Sequence, residues 1–142
     1  MANEQFAFIH RARVPSRDQW QQAVDESGFD LVIYEGLQPF SHSGFLPCKL
    51  LGADSGVETY HGPASEAVPE ADVLKELSGG RDFCITFRWG GSFQEAACAM
   101  ILSYALARSF GAAVSYAGEP PCASLEAIRA DTEAMVEESQ KK

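Results

Sequence analysis

The side chains able to act as nucleophiles, proton carriers or metal ligands are few and scattered. Cys48, Cys84, Cys98 and Cys122 contain no C-x-x-C pair, and His10, His42 and His61 do not cluster with them. Structural zinc draws its ligands from closely spaced Cys or His pairs, so no metal is expected. The cysteines read instead as reduced, buried, small hydrophobes. Cys48 and His61 suggest a nucleophile and its base, but no third group is evident to orient the base. Ser41-His42-Ser43 places hydroxyls beside an imidazole, yet neighbours in sequence do not converge as a triad must. The carboxylate pairs Asp25-Glu26 and Glu137-Glu138 fall at helix ends, where water solvates them. Glu35 is more notable, because it ends an apolar segment just before Gly36, where loops display functional groups. No catalytic constellation emerges. The chain is expected not to be an enzyme and to use no cofactor.

One glycine pair resembles an anion loop at first sight. Trp89-Gly90-Gly91-Ser92 joins an alternating apolar segment to a long apolar helix pattern. Free N–H groups at a helix start, at the positive end of its dipole, attract phosphate. However, the pair fits neither G-x-G-x-x-G nor G-x-x-x-x-G-K-[ST]. Ser92 and Glu95 also form an S-x-x-E capping box, which would occupy the same donors and add a negative charge. The pair is therefore read as a hinge, whose glycines allow a tight turn and a close approach of strand and helix. A small-molecule or nucleotide-binding regulator using the Gly90-Gly91 turn is the alternative function.

The elements that must position these groups follow from periodicity. Gln5 to Val14 alternates as a strand closed by Pro15, and Ser16-x-x-Gln19 opens a short helix through Trp20, Ala23 and Val24. Phe29 to Gly36 is apolar on both faces and reads as a strand inside a sheet. "LQPFSHSG" is a loop. "FLPCKLL" and "VETYHG" form a hairpin around "GADSG", with Pro47 implying an edge or a bulge. A polar connection leads to a short helix from Pro69 to "SGG". Phe83, Ile85, Phe87 and Trp89 share one face of the next strand. Ser92 to Phe110 is apolar on most sides and reads as a central helix ended by Gly111. "AAVSYAG" is a last strand, and Ser124 caps a helix expected to fray from residue 137 onward. This order gives an α+β fold: one domain, residues 1–142, with a mixed, largely antiparallel sheet of about five strands and helices packed on it.

A composition 46% hydrophobic and 22% charged over 142 residues supports one buried core without staples. No apolar run reaches the roughly 18–20 residues that span a bilayer. "MANEQFAFIHRARV" lacks a basic leader region and a cleavage site, so a cytoplasmic location is expected. Twenty acidic side chains against eleven basic ones give a net charge of −9, which disfavours nucleic acid and anionic membranes as partners. Between Asp54 and Asp82 the bases are Lys75 and Arg81 alone, which reads either as a solvated acidic face or as a surface shaped to meet a basic partner protein.

"FRWGGSFQEAACAMILSYALARSFGAAVSY", Phe87 to Tyr116, resembles small α+β immunity proteins of bacterial toxin–immunity systems. The resemblance implies a cytoplasmic protein that neutralises a cognate secreted toxin by binding it. Many such toxins attack nucleic acid through basic clefts, to which an acidic inhibitor would be steered. It carries over no inhibitory residue. The expected contact surface joins the Glu35–Phe45 loop, with Phe40 as aromatic anchor and His42 as polar contact, to Asp54, Glu58 and Glu66 as partners for lysines and arginines of the toxin.

Overall fold

The first alternating segment becomes strand β1 (Asn3–Ile9) in a computed structural model that describes residues 3–141. The strand stops earlier than its pattern predicts. Arg11–Arg13 form a 3₁₀ turn, and the Arg11 N–H donates to the Asp82 carboxylate at 2.8 Å instead of to a neighbouring strand. Helix α1 (Arg17–Glu26) opens on the predicted capping box: the Gln19 N–H donates to Ser16 Oγ, and the Ser16 N–H donates to Gln19 Oε1. Trp20, Ala23 and Val24 are its buried stripe.

Strand β2 (Leu31–Ile33) has three residues and lies at the sheet edge with Val32 exposed. The expectation of an interior strand fails because β2 has a neighbour on one side only. Strands β3 (Ser43–Leu50) and β4 (Ala53–Pro63) form the predicted hairpin, but the turn is only Leu51-Gly52. Both turn residues have positive φ, 51° and 82°, the twist-matched geometry of a two-residue hairpin. Most of the segment expected as a loop is therefore strand. Pro47 lies one residue beyond the end of the β2–β3 ladder; its carbonyl accepts from the Tyr34 N–H at 3.0 Å, but it has no N–H to return the bond, and the ladder stops there.

Helix α2 (Ala64–Ala67) forms unexpectedly within the polar connection, and α3 (Ala71–Ser78) is the short helix expected after it. Strand β5 (Phe83–Trp89), helix α4 (Phe93–Phe110), strand β6 (Ala113–Tyr116) and helix α5 (Leu125–Ser139) follow. The fold is α+β. Its six strands run in the order β2-β3-β4-β5-β1-β6, antiparallel at every pairing. Among the described residues, no helix is long and apolar enough to cross a membrane.

The two faces of the sheet are covered unequally. On one face, α1, α4 and α5 bury Ala7, Ile9, Ile85, Phe87 and Val57 in the main core. Helix α4 is apolar around most of its circumference because it contacts the sheet, α1 and α5 together. Trp20 fixes α1 to it, donating from Nε1 to the Leu102 carbonyl at 3.2 Å. On the other face, α2 and α3 cover β1 and its neighbours, burying Phe6, Phe8 and Cys84 with Val68 and Leu77. No helix covers that face over β2 and β3.

Two local expectations are corrected. Helix α5 does not fray at residue 137; it continues to Ser139, whose carbonyl accepts from Gln94 Nε2 at 2.8 Å, and only Lys142 of that tail lies outside the described residues. The Gly90-Gly91 turn is not a steric hinge. Neither glycine has a positive φ, and a Cβ at either position would meet nothing within 4 Å. The capping box there is half formed: Ser92 Oγ accepts from the Glu95 N–H at 3.2 Å, while its own hydroxyl donates to Gln94 Oε1.

Candidate functional site

The uncovered end of the sheet carries the most distinctive surface. Val32, Tyr34 and Phe45 gather there, each 46–52% exposed. Single exposed apolar residues are ordinary, but a contiguous set on one face is not. The strand register explains the grouping. Phe45, Pro47 and Lys49 alternate with the buried Leu46, Cys48 and Leu50, so they share the outward face of β3, with Val32 of β2 opposite Lys49. Together they border a groove of about 500 Å³.

Two glycines hold the aromatic walls of this groove. Gly56 of β4 lies opposite Pro47 at φ +148°, and the Phe45 ring occupies the space a side chain would need there. A Cβ at Gly56 would collide with that ring and with the Leu46 carbonyl oxygen. The Tyr34 ring lies against Gly36 in the same manner, within 2.6 Å of its Cβ position. Both rings are thus half exposed yet seated on backbone, which lowers the entropy lost when a partner covers them.

The groove's charged rim is mainly acidic. Glu35 and Asp54 border it, with Lys49 as the one cation among its lining residues. Glu58 follows on the same face, directly opposite Phe45 in the β3–β4 ladder. Its carboxylate accepts from the Tyr60 hydroxyl at 2.8 Å, and this bond holds the Tyr60 proton more tightly than usual. Across the next strand Arg88 faces Glu58 and pairs with Glu4 at 3.4 Å.

Three of the expected contact residues therefore meet here: Glu35, Asp54 and Glu58. Phe40 and His42 do not join them. Phe40 is half exposed but packs edge-on against Phe83 at 5.7 Å, with the Arg11 guanidinium 4.5 Å from its ring centre. His42 hydrogen-bonds through Nε2 to the Gly44 carbonyl and stacks edge-on with His61. Glu66 lies on α2, beside a separate cavity of about 170 Å³ that His61 and Thr86 also line. Tyr34 and Pro47 lie outside the contact surface expected from sequence, and Phe45 was only the end of its loop. Gly56, read from sequence as part of the turn, lies within β4, where a glycine marks a close approach.

The cysteine and histidine that suggested a nucleophile and its base lie far apart. Cys48 pairs across the ladder with Ser55, whereas His61 lies six residues farther along β4, roughly 20 Å at strand rise. His61 Nδ1 bonds the His42 carbonyl at 3.1 Å, which makes it the protonated nitrogen. Its Nε2 is buried without a partner, and burial lowers its pKa to about 4. Among the described residues, no three His, Cys, Asp or Glu side chains converge as metal ligands. The Gly90-Gly91 turn borders a cavity of about 330 Å³ walled by Trp89, Phe93, Met100, Tyr116 and Met135. Its polar edge is already engaged: Tyr116 donates to Asn3 Oδ1, and Asn3 Nδ2 donates to the Gly90 carbonyl.

Comparison of the chain with protein-family models, with curated proteins and with solved structures gives no match.

Proposed function

We propose that this chain is an immunity-type inhibitor, which binds a cognate basic toxin through the outward face of β2, β3 and β4 and covers the toxin's active cleft. The observation that carries the reading is the groove itself: two aromatic rings pre-seated on glycines, left bare by the helices and rimmed by Glu35, Asp54 and Glu58. Anchors of this kind, central and ringed by polar groups, supply most of the affinity in protein interfaces. The acidic rim and the net charge of −9 favour a partner whose cleft is lined with lysine and arginine. A nucleic-acid-degrading toxin has such a cleft.

The test is binding to the product of the adjacent gene, followed by co-expression in cells that this product poisons. Protection is expected, together with micromolar or tighter affinity. Tyr34→Ala and Phe45→Ala should each weaken binding tenfold or more, the loss of about 1.4 kcal/mol or more expected of an anchor. Phe40→Ala should leave affinity unchanged, because that ring packs on the chain's own Phe83 and Arg11. Absence of binding, or binding without protection, rejects the inhibitor reading. The regulator reading then takes precedence, its site being the cavity beside Gly90 and Gly91.

A further inference from the structure

A carboxamide lies almost fully buried beside a cavity, with one end bonded and the other bare. Gln5 of β1 is 3% exposed and points to the helix side of the sheet, where its Nε2 donates to Ser103 Oγ of α4 at 2.8 Å. Ser103 gives its own proton to the Ala99 carbonyl at 2.7 Å, so it can only accept from Gln5. That fixes the orientation of the amide and leaves Oε1 as the free end. Among the described residues, no donor reaches Oε1. Gln5 instead borders a cavity of about 270 Å³ between the β6 edge of the sheet and helices α4 and α5. Met100, Val114 and Ile128 are its apolar walls, and Asp131 stands at its exposed rim. Arg129 of the same helix pairs with Glu133 at 3.6 Å and leaves Asp131 without it. Met100 and Tyr116 also wall the cavity beside Gly90 and Gly91, so the two compartments share a flexible thioether.

We infer that this cavity binds a small aromatic amine whose ring carries an N–H or O–H donor, as in tyramine. A buried amide oxygen without a donor is costly, and a leucine or methionine would fill the same place without that cost. Water is a poor substitute, because a buried water needs two to four polar partners and the side chains between Gln5 and Asp131 are apolar. The ring donor meets Gln5 Oε1. The ring itself packs on Val114, Ile128 and the Met100 thioether, a favourable neighbour for aromatic faces and edges. The ammonium stays at the rim against Asp131, and the net charge of −9 favours a cation there. No lysine or arginine lines the cavity, so a phosphate or carboxylate ligand would find no counter-charge. The site therefore differs in ligand class from a nucleotide site at the Gly90-Gly91 turn. The inference is independent of the inhibitor reading: the groove lies on the outer face over β2 and β3, whereas this cavity lies on the helix side at the opposite edge.

The experiment titrates the full chain with tyramine, reading affinity by calorimetry and location by amide NMR shifts. Phenethylamine, which lacks the ring donor, and hydroxyphenylpropionate, which carries a carboxylate in place of the ammonium, are the matched probes. Tyramine should bind saturably, with shifts at Gln5, Ser103 and the first turns of α5. Phenethylamine should bind about tenfold or more weakly, the effect of leaving a buried acceptor unpaired. Hydroxyphenylpropionate should not bind. Gln5→Met should reduce tyramine to the level of phenethylamine while leaving phenethylamine unchanged, an outcome that a merely structural role for Gln5 would not give. Asp131→Asn should weaken both amines alike, and Phe45→Ala neither. Should Gln5→Met fail to fold, the three probes on the unsubstituted chain, together with Asp131→Asn, decide the matter. No saturable binding at millimolar tyramine, equal affinity for tyramine and phenethylamine, or shifts confined to the groove around Phe45 overturns the inference.

Discussion

Two glycines with opposite demands and one buried histidine test the structure residue by residue. Gly56 sits at φ +148° with the Phe45 ring and the Leu46 carbonyl where a Cβ would go. Gly56→Ala should cost about 1–3 kcal/mol in backbone strain alone, with further loss from displacing Phe45, read as a lower urea midpoint. Gly91 has neither constraint, so Gly91→Ala should be neutral or stabilise by up to about 1 kcal/mol through the unfolded chain's lost freedom. His61 gives a pH signature. Burial lowers its pKa to about 4, so the folded chain holds it neutral while the unfolded chain binds a proton near pH 6.5. Its contribution is therefore complete above about pH 6.5 and is lost as the pH falls towards 4. It amounts to at most about 3 kcal/mol. Urea titrations at pH 7.5 and 4.5 should show His61→Phe losing less stability on acidification than the unsubstituted chain.

At the scale of elements, the helix starts separate local from tertiary stability. Ser16 and Gln19 form both halves of a capping box, whereas Ser92 accepts from the Glu95 N–H without the reciprocal bond. Each serine-to-alanine change should cost about 0.5–2 kcal/mol, the Ser92 variant more, because Ser16→Ala keeps the backbone N–H that donates to Gln19 Oε1 whereas Ser92→Ala also loses the hydroxyl bond to Gln94 Oε1. Chemical denaturation of the two variants side by side checks the order. Helices α1, α3, α4 and α5 and the β3–β4 hairpin were legible in sequence because caps, turn residues and periodicity act over a few neighbours, whereas α2 was read as a polar connection. The end of β1 was not. His10 to Val14 continues the alternation, but the Arg11 N–H finds a carboxylate 71 residues away. Likewise the apolar character of Leu31 to Ile33 does not reveal that β2 has a neighbour on one side only.

For the whole molecule, the proposed inhibitor reading requires the acidic rim to set the rate of association and the aromatic walls to set its lifetime. Asp54→Lys and Glu58→Lys should together slow association with the basic partner and flatten its salt dependence. Phe45→Ala should act mainly by speeding dissociation. Surface plasmon resonance across a series of salt concentrations separates the two effects. Unchanged association for the charge-reversed pair would remove electrostatic steering from the account.

The sequence by itself determined the α+β class, the order of helices and strands, the buried face of β5, the central place of α4 and the acidic character of the surface. Each depends on spacing or composition, which the chain carries locally. Only the tertiary structure decided which acidic residues share a surface. Glu35, Asp54 and Glu58 meet because hairpin register and the edge position of β2 bring them to one face, while Phe40 and His42 are drawn towards Phe83 and His61. It also decided that α2 and α3 would cover one half of the outer sheet face and leave the other bare. That choice depends on packing between segments far apart in the chain. No local pattern encodes it, because a strand's alternation marks its two faces without saying which elements will cover them.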